Sequence, residues 1–549
     1  MLTKISHTIT ISFLLCSIGV YAQGDQPANA DLWSGFSSMS LQETATSPLR
    51  DLPKATDRVF VKDVQPGGLD TPCLTNTTLA INLEINRVID KNSSDGALSA
   101  AKAQSLVSKG YLSEFAILEI PAHDVDQASG EVDIVRFNGV QVGTFTGSNE
   151  TWKLNRFYVP IHLVKFGRIN GEIGPAIPSD NIIEIAINTT GSTSQWCTRV
   201  DWVALSFKAI SPVIFVHGNG QNGQFFNKDG RIANYFEAEG IPYDISIRHN
   251  PSSNTIDSNA AKLGGKFDTI ARRFGVDSFH IIAHSKGGLD ARQFLAEQYP
   301  HFYKDRYSPL SYISLSSPHN GSAGADLTTS YHAAMANKGT IQWSNVSLVG
   351  QLLSWWTRDK PLDAGHPNLS TEFVAGWNTK NIPKLQSLIS DGTLKTKFAT
   401  IAADVDRDGS NSLNTGAEVV ALTKDDEMLA SIYSSVPVLG PIAAARTANQ
   451  AYKFIGKTKE IKVTYYDDML GRHSTITGID NPGFLKNDTL VTLESGKGKG
   501  SFEQLTTMQH EWLSPLGLNH SSIANTQSSD IIRNFIVAAE KANGDLKDF

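Results

Sequence analysis

Two patterns of apolar residues follow one another along the chain. Up to about residue 207, short stretches of alternating apolar and polar residues are separated by Gly, Asn and Asp. Alternate residues of a strand face opposite sides of a sheet, so this pattern predicts short antiparallel strands. Asn138-Gly139 adds a hairpin signal. The candidate strands are 115–120, 132–137, 157–161, 182–187 and 200–205, and one helical stretch lies at 97–109.

Repeated short strands with such turns predict a β-sandwich, jelly-roll-like, over residues 56–208. The stretch from Arg136 to Gly143 is similar to sandwich modules that accompany extracellular hydrolases, including galactose-binding-like modules. The resemblance implies an accessory domain with a carbohydrate or polymer ligand.

The apolar stretches become continuous beyond residue 208, as in strands buried on both faces of a parallel sheet. Helical stretches alternate with them, which predicts a doubly wound, mostly parallel α/β domain at 209–549. A tryptophan-containing segment at 324–365 is either a lid or a helix packed into the core, and 404–486 is an insertion. The strands are expected at 212–216, 279–283, 312–315 and 398–403, and the last helix at 529–542.

The first residues have the features of a secretory signal. Lys4 precedes an apolar stretch at 9–20, and Val20-Tyr21-Ala22 suits cleavage. We therefore expect a signal peptide at 1–22, a loose leader at 23–55, and a secreted protein, extracellular or periplasmic. Cleavage leaves Cys73 and Cys197, which in an exported chain most simply form one disulfide.

Composition narrows the function classes. Hydrophobic residues make up 40% of the 549-residue chain and charged residues 19%, as in ordinary globular proteins. The net charge of −7 gives no reason to expect nucleic acid as a partner. No stretch after the signal is long enough to cross a membrane.

The strongest chemical motif lies at 279–292. A short apolar strand is followed by Ala283-His284-Ser285-Lys286-Gly287-Gly288 and then by a helical stretch. A strand, a small-residue turn with serine at its tip and a helix form a nucleophile elbow, here with alanine in the first position of G-x-S-x-G. We expect Ser285 to be a nucleophile, because the turn exposes its Oγ and the helix N-terminus favours negative charge.

Such a serine needs a base, an orienting acid and oxyanion donors. The loop His217-Gly218-Asn219-Gly220 follows the first core strand, so the backbone amides of Asn219 and Lys286 are the expected donors. The chain order Ser…Asp/Glu…His points to a late histidine, and His520 in the loop before the last helix is preferred over His510 and His473. Asp488 is the preferred acid, with Asp404 and Asp406 as rivals.

A second acidic motif suggests a metal. Asp404, Asp406 and Asp408 alternate before Gly409, like the first half of a calcium loop, although Thr415 stands where that loop needs glutamate. Structural calcium and a solvated acidic turn both remain open. Neither alternative gives a metal a catalytic role.

These motifs, taken in order, resemble the bacterial true lipases, secreted triacylglycerol lipases of the α/β-hydrolase fold. The resemblance covers about 210–525 and implies the triad Ser285, Asp488 and His520, with Asn219 and Lys286 as oxyanion donors. The usual calcium-binding aspartate two residues after the histidine is replaced by Ser522. The matching stretches are 212–218, 283–288, 315–322 with Asp326, 368–371, 487–491 and 519–520.

The expected function is a serine ester hydrolase, a triacylglycerol lipase or carboxylesterase that forms an acyl-enzyme on Ser285. It requires no cofactor and acts on a lipid or other ester, at an oil–water or polymer surface. The first alternative is an extracellular polyester depolymerase of the polyhydroxyalkanoate type, since a sandwich domain could direct the enzyme to a solid polymer. The second is a non-catalytic surface-binding protein on a hydrolase fold.

Overall fold

The structure is a computed structural model. The predicted signal peptide, Asp408 and most of the segments 324–365 and 404–486 lie outside the residues it describes. The described residues are 51–65, 71–189, 196–228, 230–247, 254–326, 340–341, 365–406, 452–453, 456, 458–460, 464–467, 472–475, 479–480, 485–488, 490–505, 518 and 520–542.

The first part of the chain forms two antiparallel sheets. One has the order β1-β9-β3-β6, with β8 paired to β3, and the other has the order β2-β7-β4-β5. The elements are β1 (Val59–Asp63), β2 (Thr78–Ile85), α1 (Ala100–Ser108), β3 (Phe115–His123), β4 (Ile134–Phe137), β5 (Val140–Thr144), β6 (Trp152–Pro160), β7 (Ser179–Ala186), β8 (Arg199–Val200) and β9 (Trp202–Ser206).

Two local predictions for this region are confirmed. Asn138 and Gly139 join β4 to β5 with φ values of 48° and 82°, the left-handed conformation that a two-residue hairpin of this type requires. Cys73 and Cys197 form a disulfide across 124 residues. Both sheets contribute to one apolar core, in which Leu83 and Ile185 are buried together with Leu118.

The second part of the chain contains a five-stranded parallel sheet with the order β11-β10-β12-β13-β15 and two small antiparallel sheets, β14-β17-β18 and β16-β19. A π-helical segment, Phe294–Tyr303, continues α4. The elements are β10 (Val213–Val216), α2 (Ile232–Glu239), β11 (Tyr243–Asp244), α3 (Ile256–Phe274), β12 (Ser278–His284), α4 (Lys286–Gln293), β13 (Ser308–Leu315), β14 (Thr340–Ile341), α5 (Thr371–Ser390), β15 (Lys397–Ile401), β16 (Thr458–Glu460), β17 (Thr464–Asp467), β18 (Arg472–Thr475), β19 (Ile479–Asp480), α6 (Leu493–Lys497) and α7 (Ser529–Ala542).

Residues of the parallel sheet belong to two apolar cores, each of which also contains helix residues. Ile214 and Ile281 pack in one apolar core with Phe267 of α3, whereas Phe215 packs in another with Phe236 of α2 and residues of α7. β10 and β12 are therefore buried on both sides, which explains their continuous apolar sequences. The molecule is a mixed α/β protein with several sheets, and the helix expected at 529–542 is confirmed.

Buried polar contacts join the N-terminal residues to the last helix. The carboxylate of Glu540 on α7 is fully buried and lies 3.2 Å from Arg58 Nη2 and 3.1 Å from His280 Nε2. It also accepts a hydrogen bond from the amide of Ser211 at 2.6 Å. Although burial opposes ionisation, Arg58, His280 and the Ser211 amide together lower the pKa of Glu540 to about 2.

This carboxylate makes stability depend on pH. Its pKa is lower in the folded chain than the ~4.3 of an unfolded glutamate, so its contribution is complete above that value and is lost as the pH falls towards 2. We expect Glu540→Gln to lower the free energy of unfolding at pH 7 by roughly 3 kcal/mol, and by less at pH 3.5. Urea denaturation at both pH values measures this. Exposed Glu114 supplies the control Glu114→Gln, and equal losses for Glu540→Gln at both pH values would contradict the expectation.

Candidate active site

Ser285 occupies a sharp turn between β12 and α4. Its φ of 54° and ψ of −131° are strained for a residue with a side chain, which holds the serine at the carboxyl end of the parallel sheet. The turn needs small neighbours. A Cβ added to Gly287 would lie 2.3 Å from the carbonyl oxygen of His217, and one added to Gly288 would lie 2.0 Å from Ser317 Oγ. This is the geometry of a nucleophile elbow.

Three side chains from distant parts of the chain meet at this turn. His520 Nε2 lies 2.9 Å from Ser285 Oγ, and His520 Nδ1 lies 2.9 Å from Asp488 Oδ2. The serine is half-buried, whereas His520 is only 6% and Asp488 1% exposed, so the two contacts are largely screened from water. The arrangement matches the order of nucleophile, base and orienting acid in serine hydrolases.

The acid is itself held by main-chain groups. Asp488 Oδ1 accepts hydrogen bonds from the amides of Leu490 at 3.0 Å and Val491 at 2.7 Å, which leaves Oδ2 facing the imidazole. The amide of His520 donates to the carbonyl oxygen of Asp488 at 3.0 Å. These bonds fix the distance between the two loops as well as the tautomer in which Nδ1 carries the proton.

The rival acids lie close by but do not face the ring. Val405 donates its amide proton to the carbonyl oxygen of Asn487 at 3.1 Å, which brings Asp404 and Asp406 alongside the Asp488 loop. Both are buried, and the Tyr452 hydroxyl lies 3.3 Å from Asp404 Oδ1 and 3.5 Å from Asp406 Oδ2. Among the carboxylates described, the one in contact with His520 is Asp488.

The remaining candidates are distributed as follows. Within the described ranges, no group of three or more His, Cys, Asp or Glu side chains could hold a metal, and Asp408 of the suggested calcium loop lies outside those ranges. Burial raises the pKa of Asp404. Of the alternative bases, His510 lies outside the described residues, and His473 belongs to β18.

The expected oxyanion loop lies against the serine. A Cβ added to Gly218 would be 2.8 Å from Ser285 Cβ, so only glycine permits this approach. Asn219 follows directly, and Lys286 begins α4, where helix geometry leaves the first amides without helical acceptors. The Lys286 side chain turns away into the protein, where its Nζ lies 2.9 Å from Asp290 Oδ1. Its main-chain amide is therefore the group available at the serine.

His284, next to the nucleophile, connects the loops around the site. Its Nε2 lies 2.7 Å from the carbonyl oxygen of His520, and its Nδ1 lies 3.2 Å from Gln221 Oε1. The ring stacks on Phe225 with centroids 4.6 Å apart. Burial lowers the pKa of His284 well below its usual range, with a further contribution from His520. The imidazole is therefore neutral, and its Nε2–H donates a hydrogen bond to the main chain of the base loop, the loop that carries His520.

A second buried histidine holds the neighbouring loop. His319 Nε2 lies 2.8 Å from Ser314 Oγ, and its Nδ1 accepts a hydrogen bond from Arg292 Nη1 at 3.2 Å. The Arg292 guanidinium is fully buried, lies 3.9 Å from the Trp377 ring centroid, and has its pKa lowered to about 9 by burial. These contacts fix the loop that presents Ser317 to Gly288, beside the elbow.

The connections made by Gln221, His284 and Arg292 could not be predicted from the sequence. The residues stand next to recognisable motifs, but their partners lie tens to hundreds of positions away along the chain. The only sequence signal was the position of His284 directly before the nucleophile.

The chain has remote similarities to solved structures of known proteins. No protein-family model and no curated protein matches the chain. Among solved structures, the Bacillus licheniformis lipase BlEst2 in mature form is 17% identical with a TM-score of 0.33, covering 60% of this chain and 92% of that chain. Phospholipase PlaB from Legionella pneumophila is 18% identical with a TM-score of 0.25, covering 37% and 41%.

A carbohydrate-binding module, CBM36, in complex with calcium and xylotriose is 11% identical with a TM-score of 0.14, covering 29% of this chain and 95% of the module. All three TM-scores are below 0.5, and the function proposed below rests on the geometry of the site itself. The described helices include none that is both long enough and apolar enough to span a bilayer.

Proposed function

We propose that this chain is a secreted serine ester hydrolase with a doubly wound α/β-hydrolase domain at 209–549 and a β-sandwich domain at 56–208. The observation that carries the proposal is the continuous chain of contacts from Ser285 Oγ through the His520 ring to Asp488, at 2.9 Å for each step. It is supported by the strained backbone of Ser285 and by the close approach of Gly218 to that residue.

The chemistry follows from these contacts. Ser285 Oγ attacks the ester carbonyl carbon while His520 Nε2 accepts its proton, and the carbonyl oxygen becomes an oxyanion facing the amides of Asn219 and Lys286. When the tetrahedral intermediate collapses, the C–O bond to the alcohol breaks and His520 gives its proton to the departing oxygen. Water, deprotonated by His520, then attacks the acyl-enzyme, and collapse of the second intermediate returns the proton to Ser285.

Within this scheme His284 is a positioning residue. We expect His284→Phe, which keeps the stacking on Phe225 but loses the hydrogen bond to the His520 carbonyl, to reduce kcat about tenfold with little change in KM. The reason is that the carbonyl of His520 loses its donor and the base loop is held less firmly. Steady-state kinetics on a soluble ester measure the change. His284→Gln, which still carries a donor, should recover part of the loss, and no recovery would argue against this role.

We propose a triacylglycerol or another carboxylic ester as substrate. The test combines labelling with a substrate series. A fluorophosphonate should modify one peptide, the one containing Ser285, and hydrolysis of tributyrin, triolein and a polyester film should then be compared. Cleavage of the glycerides favours a lipase, cleavage of the film alone favours a depolymerase, and absence of both labelling and hydrolysis would reject an enzyme.

A further inference from the structure

A recess lies between two N-terminal segments, 91–92 and 169–173, and the edge strand β11 of the parallel sheet. Its volume is about 470 Å³, within the range of small-molecule sites. Lys266, Thr269 and Arg273, at helical spacing on α3, line one wall of the recess. Glu172 and Ile173, from the N-terminal part of the chain, also line it. The recess was not expected from the sequence, because its walls come from separate segments.

The recess adjoins the candidate active site. Gln224 and Asn227 lie on the short helix Gly223–Asn227, and Phe225 of the same helix stacks on His284. A Cβ on Gly223 would lie 1.7 Å from the carbonyl oxygen of Ile245, so this helix packs directly against the segment after β11 that also lines the recess. One segment of the chain therefore has the recess on one side and the elbow on the other.

The charges of the recess compensate one another. Lys91 Nζ lies 2.7 Å from Glu237 Oε2, and Arg273 Nη1 lies 2.6 Å from Asp244 Oδ2. Lys266 and Glu172 supply one further charge of each sign. Glu237 does not line the recess, but it neutralises Lys91 from beside it. With that pair counted, positive and negative charges are equal in number, which favours a neutral ligand over a phosphate or carboxylate.

Several polar groups of the lining have no protein partner. Within the described part of the chain, nothing bonds the side chains of Glu172, Gln224, Asn227 and Lys266, and the buried Nε of Arg273 also has no acceptor. Together they offer a carboxylate acceptor, ammonium and guanidinium donors, and amides that do both. Ile173, 77% exposed, adds an apolar surface.

We propose that this recess binds a neutral, hydroxyl-rich group such as a sugar. Each hydroxyl both donates and accepts, which matches the mixed lining, and the C–H face of a sugar ring can pack on Ile173. The group is either the alcohol part of the ester that Ser285 cleaves or a unit of a separate polysaccharide. If the group is the alcohol part of the ester, the inference rests on the proposed ester hydrolysis. If it is a unit of a polysaccharide, it does not.

Binding is tested on the Ser285→Ala protein, so that no turnover is needed. In calorimetry with glucose, galactose, xylose and sucrose, at least one sugar should bind saturably. Adding Glu172→Gln and Lys266→Met should weaken that binding about tenfold or more, since two charged hydrogen bonds are lost. Lys262→Met, an exposed lysine one turn earlier on α3, should leave it unchanged. Unaltered thermal unfolding of each variant shows that the fold is retained.

Hydrolysis by the otherwise wild-type chain separates the two sources. If the sugar belongs to the substrate, Glu172→Gln with Lys266→Met raises KM for sucrose monolaurate about tenfold and leaves ethyl laurate unchanged. If it belongs to a polysaccharide, sugar binding falls while both esters are cleaved as before. The proposal is overturned if no sugar binds, if the double variant binds equally well, or if inorganic phosphate binds more tightly than every sugar. Failure of Ser285 to react with a fluorophosphonate rejects the hydrolase and leaves the binding result standing.

Discussion

Ser285→Ala should abolish measurable ester hydrolysis, with a loss in kcat of roughly 10⁴- to 10⁶-fold. The hydroxyl that would attack the carbonyl is gone, and only oxyanion donors and substrate binding remain to lower the barrier. The residual activity should resemble that of the His520→Ala variant, because the two residues act as one unit. The measurement is initial rates on a soluble ester at matched protein concentrations.

The control for this variant is a nearby serine that takes no part in the Ser285–His520–Asp488 contacts. Ser317 Oγ lies beside Gly288, where an added Cβ would be only 2.0 Å away, so Ser317→Ala removes a hydroxyl near the elbow without touching His520. Its kcat should stay within about threefold of wild type. If Ser285→Ala keeps wild-type kcat, or if Ser317→Ala loses as much, Ser285 is not the nucleophile.

Asp488→Asn should lower kcat about 10⁴-fold while the fold stays intact. The amides of Leu490 and Val491 both donate to Asp488 Oδ1, so an asparagine would place its carbonyl oxygen there and turn its NH₂ towards His520 Nδ1. The ring would then carry its proton on Nε2, facing Ser285 as a donor, and could not accept the serine proton. Kinetics together with a thermal unfolding scan separate this effect from misfolding.

Asp404→Asn is the matched control, because Asp404 is buried beside the same loop without contacting His520. It should change stability more than kcat. If Asp404→Asn produced the large kinetic loss and Asp488→Asn did not, the orienting acid would have been assigned to the wrong loop.

The buried contacts between the two parts of the chain bear on the proposed accessory role of the N-terminal strands. The guanidinium of Arg87 is fully buried, where it bonds Asp57 at 2.5 Å and the carbonyl oxygens of Ala209 and Ile210 at 2.9 and 3.1 Å. Removing the N-terminal part would expose these acceptors and leave Glu540 without Arg58. The N-terminal residues thus stabilise the parallel-sheet part as well as forming their own sheets.

Local features of this protein were determined by the sequence itself. The two-residue hairpin at Asn138-Gly139, the buried strand before Ser285 and the helix Ser529–Ala542 follow from turn chemistry and apolar periodicity, which act over a few residues. The disulfide between Cys73 and Cys197 followed from counting, because cleavage of the expected signal would leave two cysteines.

Tertiary structure decided which of the candidate side chains meet across long stretches of chain and which further residues hold them. Sequence order ranked His520 and Asp488 above their rivals, but only the packing of the two loops shows which carboxylate faces the ring. The bond from His284 to the base loop spans 236 positions, and the recess is lined by five separate segments. No local pattern encodes such contacts, because each depends on how the sheet and helices pack as a whole.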